Sequence, residues 1–318
     1  MALIGDRRDP TDQTAHAVLH AFLAVLALLA LLAAPTGAQT RVVILGTGTP
    51  NPDPERSGPA VAVVVGGTAY LVDAGPGVVR RAALAAERRR MPALESARLS
   101  TVFLTHLHSD HTVGLPDVIH TGWVAGRVQP LRLFGPPGTA AMAEHLTVAW
   151  RADIDVRTKG KQPHTEAGWR VDARDVTQPG VVYRDSNVVV RAFRVPHTDW
   201  PVSYGYRFEA RDRVVVISGD TRLSNAVVDA CRGCDVLVHE VYDAVTFRGL
   251  PAAWRRYHAD SHTSTVELAG IARKARPGLL VLYHQLYWGG SDADLLRQVR
   301  DAGYTGRVVS ARDLEVYP

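Results

Sequence analysis

The chain has 318 residues, 46% hydrophobic and 21% charged, with a formal net charge of +4. That length holds one large domain or two small ones, and the balance is that of a globular fold, not of a disordered or low-complexity chain. The basic excess is spread without a Lys/Arg block, so it is no nucleic-acid footprint in itself and favours anionic substrates only weakly.

The first element is a leader. Ala21 to Ala34 is an unbroken apolar run with Arg7 and Arg8 upstream and Thr36-Gly37-Ala38 at its end. This is the pattern of a secretory signal peptide, with cleavage expected before Gln39. The run is shorter than the roughly 20 residues that span a bilayer, which disfavours a retained anchor. No Cys follows it, against lipid attachment, and the residues after Arg7-Arg8 fit twin-arginine export poorly. Residues 1–38 carry Arg7 and Arg8 against Asp6, Asp9 and Asp12, leaving the mature chain at about +5. A periplasmic or secreted protein is expected, with no stable membrane partner beyond the export signal.

Arg41–Leu45 reads as a strand, followed by the tight loop Gly46–Pro50. Val61–Val65 and Tyr70–Val72 read as a hairpin across Gly66-Gly67, ending at Val72-Asp73-Ala74-Gly75. Val78–Arg90 is a predicted helix, Leu99–Leu104 a buried strand, Leu131–Phe134 a strand and Thr139–Trp150 a helix. Strands follow at Val188–Val195, Val202–Glu209, Arg213–Ser218 and Val236–Glu240. A helix over Thr263–Ala275, a strand over Leu279–His284, a helix over Asp292–Ala302 and a strand over Arg307–Ser310 complete the order. Two sheets packed face to face with helices outside satisfy this pattern, in one catalytic domain spanning about residues 39–318.

The segment Thr105-His106-Leu107-His108-Ser109-Asp110-His111 carries the chemistry. It lies where the 99–104 strand gives way to a loop. His106 and His108 are two apart, so in extended chain their rings face one way. Asp110 and His111 follow at the turn and aim at a second point nearby. One short loop thus offers ligands to two neighbouring ions. Cys231-x-x-Cys234 is open to several readings: a redox pair, half a zinc site, or a local disulfide in an oxidising compartment. The leading reading is two small apolar residues near a helix end.

The His-x-His-x-Asp-His segment resembles the signature of the metallo-β-lactamase superfamily of binuclear metallohydrolases. The family pattern asks for a distant His, a bridging Asp and a final His. Val195-Pro196-His197-Thr198-Asp199, Val214–Thr221 with Asp220, and Leu279–His284 supply them in order at strand ends. The resemblance implies an α+β fold, the αββα four-layer sandwich. It implies one metal on His106, His108 and His197, a second on Asp110, His111 and His284, and Asp220 between them. Two zinc ions suit these donors, and manganese or iron fits the same set. The implied chemistry is attack by a metal-bridging hydroxide that Asp110 orients. Asp73 and Gly46–Pro50 match a motif whose Asp supports the ligand histidines by hydrogen bonds.

His239-Glu240 and Ser261-His262-Thr263-Ser264, the latter read as opening a helix with Glu267 inside, resemble the phosphodiesterase branch that includes ribonuclease Z. The resemblance gives His262 a catalytic role, assisting the leaving group or gripping an anionic oxygen; His239 and His258 are expected to be structural or supporting. Ribonuclease Z carries a tRNA-clamping arm between the third and fourth motifs, whereas 23 strand-like residues separate His197 from Asp220 here. tRNA is therefore not expected as a substrate. Gly122-Trp123, Phe134–Thr139 and Pro196–Asp199 are similar to exported arylsulfatases of this fold. A small anionic sulfate or phosphate ester is the expected substrate, with the sulfate first. The alternatives are a ribonuclease Z-type phosphodiesterase without the arm, and a lactonase or β-lactamase, which the pattern around His262 disfavours. An intact ligand set argues against a non-catalytic binding protein, and a homodimer is the family's habit.

Overall fold

The computed structural model describes residues 39–318, so the expected leader lies outside the described residues. Two seven-stranded mixed sheets make up Thr40–Pro318. The first runs β14 (Val316–Tyr317), β1 (Arg41–Gly46), β2 (Ala60–Val65), β3 (Thr68–Val72), β4 (Thr101–Phe103), β5 (Leu131–Gly135), β6 (Val171–Asp175). The second runs β13 (Val308–Ser310), β12 (Leu279–Leu286), β11 (Val236–Tyr242), β10 (Val214–Ile217), β9 (Ser203–Ala210), β8 (Val188–Val195), β7 (Gly180–Arg184).

Strand periodicity builds the layers. In β2, Val61, Val63 and Val65 enter the core between the sheets, while Ala60, Ala62 and Val64 face the outer helices. In β12, Leu279, Val281 and Tyr283 point inward, and Leu280 and Leu282 outward. Both faces of these strands are covered, so they read as continuous apolar runs. Helices α1 (Val78–Arg88), α3 (Leu115–Val124) and α4 (Thr139–Ala149) cover the first sheet, and α2 (Ser109–Thr112) is a single turn. Helices α6 (Asn225–Cys231), α8 (Thr265–Ala275) and α9 (Asp292–Asp301) cover the second. The result is the expected αββα sandwich. Phe103 anchors its centre, within 5.2–5.8 Å ring-centroid separation of Phe134, Tyr183, Tyr206 and Phe208. Truncating such a ring to alanine costs roughly 3–5 kcal/mol.

The sheets are stitched together beneath the site. Tyr204 N–H on β9 donates to Thr105 O (2.9 Å), and the Tyr206 hydroxyl donates to Leu104 O (2.8 Å). Strands β3 to β6 run parallel to one another, as do β10 to β13. The carboxyl ends of β3, β4 and β10 lead into Asp73, the His106–His111 loop and Asp220, and Glu240 and His284 lie within the carboxyl-terminal parts of β11 and β12. Carboxyl ends of parallel strands are where such folds place ligands.

Several elements differ from expectation. Ser261–Ser264 does not begin a helix: α7 (Ala252–Ser261) ends there, His262 follows it, and Ser264 caps α8 in a capping box with Glu267. Helix α7 buries only His258 and Ser261, and α5 (Arg151–Lys159) only Ile154, so neither shows an apolar stripe in sequence. Cys231 and Cys234, read first as two small apolar residues, are joined by a disulfide at the end of α6.

Candidate metal centre

Local backbone geometry aims each side chain. Asp73 sits at φ 63° just past β3. His284 lies at φ 46° where the β11–β12 register slips, a bulge that re-aims its ring. Asp220 follows Gly219, which has φ 63° and where a Cβ would stand 2.7 Å from Tyr204 O and 2.8 Å from Thr105 Cβ. Only glycine fits that turn. His108 leads into α2, which places Asp110 and His111 one turn on.

The seven residues expected as ligands converge. His106, His108 and His197 form one group; Asp110, His111 and His284 another; Asp220 joins His106 and His111. Asp220 Oδ2 lies 3.1 Å from His284 Nε2, 3.4 Å from His111 Nε2 and 3.9 Å from His106 Nε2.

Hydrogen bonds on the far side of each ring fix the tautomers. His197 Nδ1 faces Ser261 O (2.7 Å) and His284 Nδ1 faces Gly48 O (2.8 Å); a carbonyl only accepts, so both nitrogens carry the proton. His111 Nδ1 donates to Asp73 Oδ2 (2.8 Å). Thr105 Oγ1 donates to Asp73, so it accepts from His106 Nδ1 (3.0 Å). In these four rings the Nε2 lone pair therefore points inward. His108 Nδ1 meets two of them, His106 Nε2 at 3.0 Å and His197 Nε2 at 3.1 Å, and one proton can serve only one pair. Asp110 Oδ2, His111 Nε2 and Asp220 Oδ1 are buried with no hydrogen-bond partner among the described residues. Such atoms are costly unless an ion satisfies them.

Charge argues the same way. Asp73, Asp110, Asp220 and Glu240 are buried, and every ion pair they make among the described residues is with a histidine. Burial would raise Asp220, but the His284 and His111 rings outweigh it and hold it well below the usual carboxylate range. Burial pushes His197 down to about 4. The donors, imidazole nitrogen and carboxylate oxygen, fit divalent cations.

Asp73 is the support that the sequence suggests: its carboxylate also accepts Thr105 N–H (2.8 Å), tying the loop to β3. Glu240 Oε1 accepts the N–H groups of Thr263 (2.8 Å) and Thr221 (3.4 Å). Its Oε2 has no hydrogen-bond partner and lies 3.4 Å from His262 Nδ1, itself 3.8 Å from Asp220. Burial, then the charge of Asp220, pushes Glu240 well above its ordinary value.

A cavity of about 540 Å³ opens over this cluster, lined by His108, Asp110, Asp220, His262 and His284 on one side. Trp254, Tyr257, His258 and Trp288 line the other. Sequence reading missed this aromatic side, because α7 lacks periodicity and Trp288 follows β12 in a turn. Trp200, 5.3 Å ring to ring from His108, was missed too. Two of the arylsulfatase-like segments do structural work: Trp123 is buried and donates to Thr165 O (3.0 Å), and Gly138 starts α4; the third, Pro196–Asp199, brings His197 into the cluster.

A family model described as a beta-lactamase superfamily domain matches residues 68–285. The chain belongs to the metallo-β-lactamase superfamily, in its ribonuclease Z-like branch. It is 34% identical over 284 residues to a Ribonuclease Z of Mycobacterium bovis (strain BCG / Pasteur 1173P2), covering 87% of this chain and 98% of that protein. Among solved structures it is similar to human tRNase Z, short form, at TM-score 0.65 and 23% identity, covering 87% and 98% of the two chains. The metallo-beta-lactamase fold protein YhfI from Bacillus subtilis matches at TM-score 0.62 and 19% identity, with the same coverages. As a member of a metallo-β-lactamase branch whose relatives are named for a ribonuclease, the chain is closer to the phosphodiesterase alternative than to the arylsulfatase expected first. The same relatives do not favour the sequence-based exclusion of tRNA.

Proposed function

We propose that this chain is a metal-dependent phosphodiesterase. The carrying observation is the set of inward-facing Nε2 lone pairs and unpartnered carboxylate oxygens at the carboxyl ends of the two sheets. The likeness to proteins named Ribonuclease Z supports phosphate over sulfate. His106, His108 and His197 would hold one cation, Asp110, His111 and His284 a second, with Asp220 between. Two such ions supply Lewis acidity toward the ester and activate a water.

The chain's own groups do the rest. Asp110 lines the cavity and orients the attacking water. Protonated Glu240 faces His262 Nδ1, so that ring carries its proton on Nε2; as that proton passes to the departing oxygen, Nδ1 takes the proton of Glu240, leaving a neutral imidazole and a glutamate carboxylate. His262 is the catalytic acid in this reading, and Glu240 positions it. Residues 200–219 between His197 and Asp220 are occupied by β9, β10 and their short connections, which supports a small ester over a tRNA gripped by an inserted arm.

We also infer that residues 1–38 are a cleaved leader and that residues 39–318 are the catalytic domain. The closed Cys231–Cys234 pair suits an oxidising compartment. Cell fractionation with N-terminal sequencing tests this: cytosolic protein retaining residues 1–38 overturns it.

The deciding experiment compares bis(4-nitrophenyl) phosphate, 4-nitrophenyl sulfate, a lactone and a tRNA precursor on zinc-loaded and chelated protein. The diester should lead the sulfate and the lactone by at least about tenfold in kcat/KM, about 1.4 kcal/mol in the barrier. Chelation should abolish turnover. Preference for the sulfate or lactone removes the phosphodiesterase reading, and efficient tRNA cleavage removes the small-ester restriction.

A further inference from the structure

We infer that the aromatic side of the cavity is a recognition wall for a planar aromatic group attached to the scissile anionic ester, so that the substrate is a small aromatic ester. This rests on the phosphodiesterase reading for the ester but draws on different residues. Trp254 and His258 stack at 5.7 Å and 24°, and His258 lies 4.6 Å from Trp288, ring to ring. The row continues to His262 at 5.6 Å from His258, and from there to His284 at 6.0 Å. A flat group lying along the row would therefore reach the ligand cluster with its ester.

Three further observations favour this occupant. Trp254 is 56% exposed although it sits in an aromatic cluster, an expensive placement for a ring serving only packing. Trp288 is held at φ 46°, a left-handed conformation that a bulky side chain rarely adopts. Gly290 N–H closes that turn on Tyr287 O (3.0 Å), and Tyr242 and Phe247 pack against the indole at 5.8 and 6.1 Å. Backbone strain of this kind concentrates where a side chain must be presented to a ligand. Buried His258 has an unpartnered Nδ1, a polar handle within the wall.

Charge sets the class. No Lys or Arg is among the described residues lining the cavity. A polyphosphate or a long nucleic-acid strand would call for cations along its backbone. A single anionic ester needs only the cluster at the cavity's end, and about 540 Å³ suits a ligand of nucleotide size. A simple aryl group and a nucleobase share the required chemistry.

The test measures binding by calorimetry on the zinc-loaded full chain, independently of turnover, with phenyl, cyclohexyl and methyl phosphate and thymidine 5′-phosphate. Stacking predicts that the phenyl and thymidine compounds bind at least about tenfold tighter than methyl phosphate and about threefold tighter than cyclohexyl phosphate. The tighter of the two aromatic ligands assigns the source. Trp254→Ala should weaken the aromatic ligands by about fivefold or more and leave methyl phosphate unchanged, while Trp254→Phe and Trp288→Phe retain most of the preference. Cyclohexyl phosphate binding as tightly as phenyl phosphate, or Trp254→Ala weakening methyl phosphate equally, overturns the wall. Aromatic ligands that bind as expected to a protein hydrolysing no diester uphold the wall and sink the phosphodiesterase reading.

Discussion

The two halves of the sandwich build the centre by opposite means. The first sheet offers four candidate ligands from one six-residue segment, His106 to His111, held at the end of β3 by the Asp73 carboxylate and by Ala74 N–H donating to His111 O. The second offers three candidate ligands from three separate strand ends, each placed by its own local device: His197 by Ser261 O, Asp220 by the Gly219 turn, His284 by a bulge. A contiguous loop can be pre-set from one place. Scattered ligands need the whole sheet in register. The second half should therefore be the more sensitive to single changes, and Asp220, which reaches His106, His111 and His284, the most sensitive point.

Asp220→Asn tests this most severely. The amide keeps the shape but lacks the charge that pairs with four rings, His106, His111, His262 and His284. Turnover should fall by on the order of 10³-fold or more, as for groups that act as a unit, with bound metal dropping below two ions per chain by elemental analysis. Two ions retained with full activity would remove Asp220 from its joining place.

His262→Ala separates chemistry from ligation within the same half. His262 lies near Asp220 and His197 and could itself ligate. The proton-transfer role predicts a fall in kcat of about 10²- to 10³-fold with metal content unchanged. Loss of metal would make His262 a ligand instead.

Asp73→Asn probes the first half. Asparagine's oxygen can still accept Thr105 N–H, but its amide nitrogen cannot accept from His111 Nδ1. The His111 tautomer is then released and metal affinity should fall about 10- to 100-fold, read by chelator competition. An effect as large as that of Asp220→Asn would erase the contrast between the halves.

The same contrast explains what the sequence disclosed. The 106–111 loop was legible because all its ligands sit within six residues at a strand end. His197, Asp220 and His284 were legible only in order behind it, since a lone strand-end His or Asp has no distinctive signal. The strands were clear where both faces are buried, as in β2 and β12. Helix α7 was not, because it packs its aromatic residues over a cavity and leaves no apolar stripe. The wall of Trp254, His258 and Trp288 thus comes from a helix without periodicity and a strained turn, and neither position announces itself in one dimension. Arg127 was equally silent: its buried guanidinium donates to the carbonyls of Leu99, Val118, Ile119 and Gly168, a tertiary fastening without any motif.

The smallest effect at the site is expected from the far end of the second sheet. Strands β10, β11 and β12 run parallel, with Asp220, Glu240 and His284 at or near their carboxyl ends and Cys231–Cys234 close to the amino end of β11. Cys231 and Cys234 are buried among Val227, Leu237 and Ile271, in the core under α6 and α8. The bridge closes a very short loop, since the cysteines are three apart, and loop-closure entropy gives it about 2 kcal/mol of stability. Replacing both cysteines with serine should lower the unfolding midpoint and leave metal content and kcat as they were. Two hydroxyls buried in that apolar core add their own cost, so the paired alanine variant is the cleaner measure of the bridge. If opening the bridge strips metal, strain at the amino ends reaches the ligands through β10 and β11. The second half would then be one cooperative unit, not a rigid frame with a reactive edge.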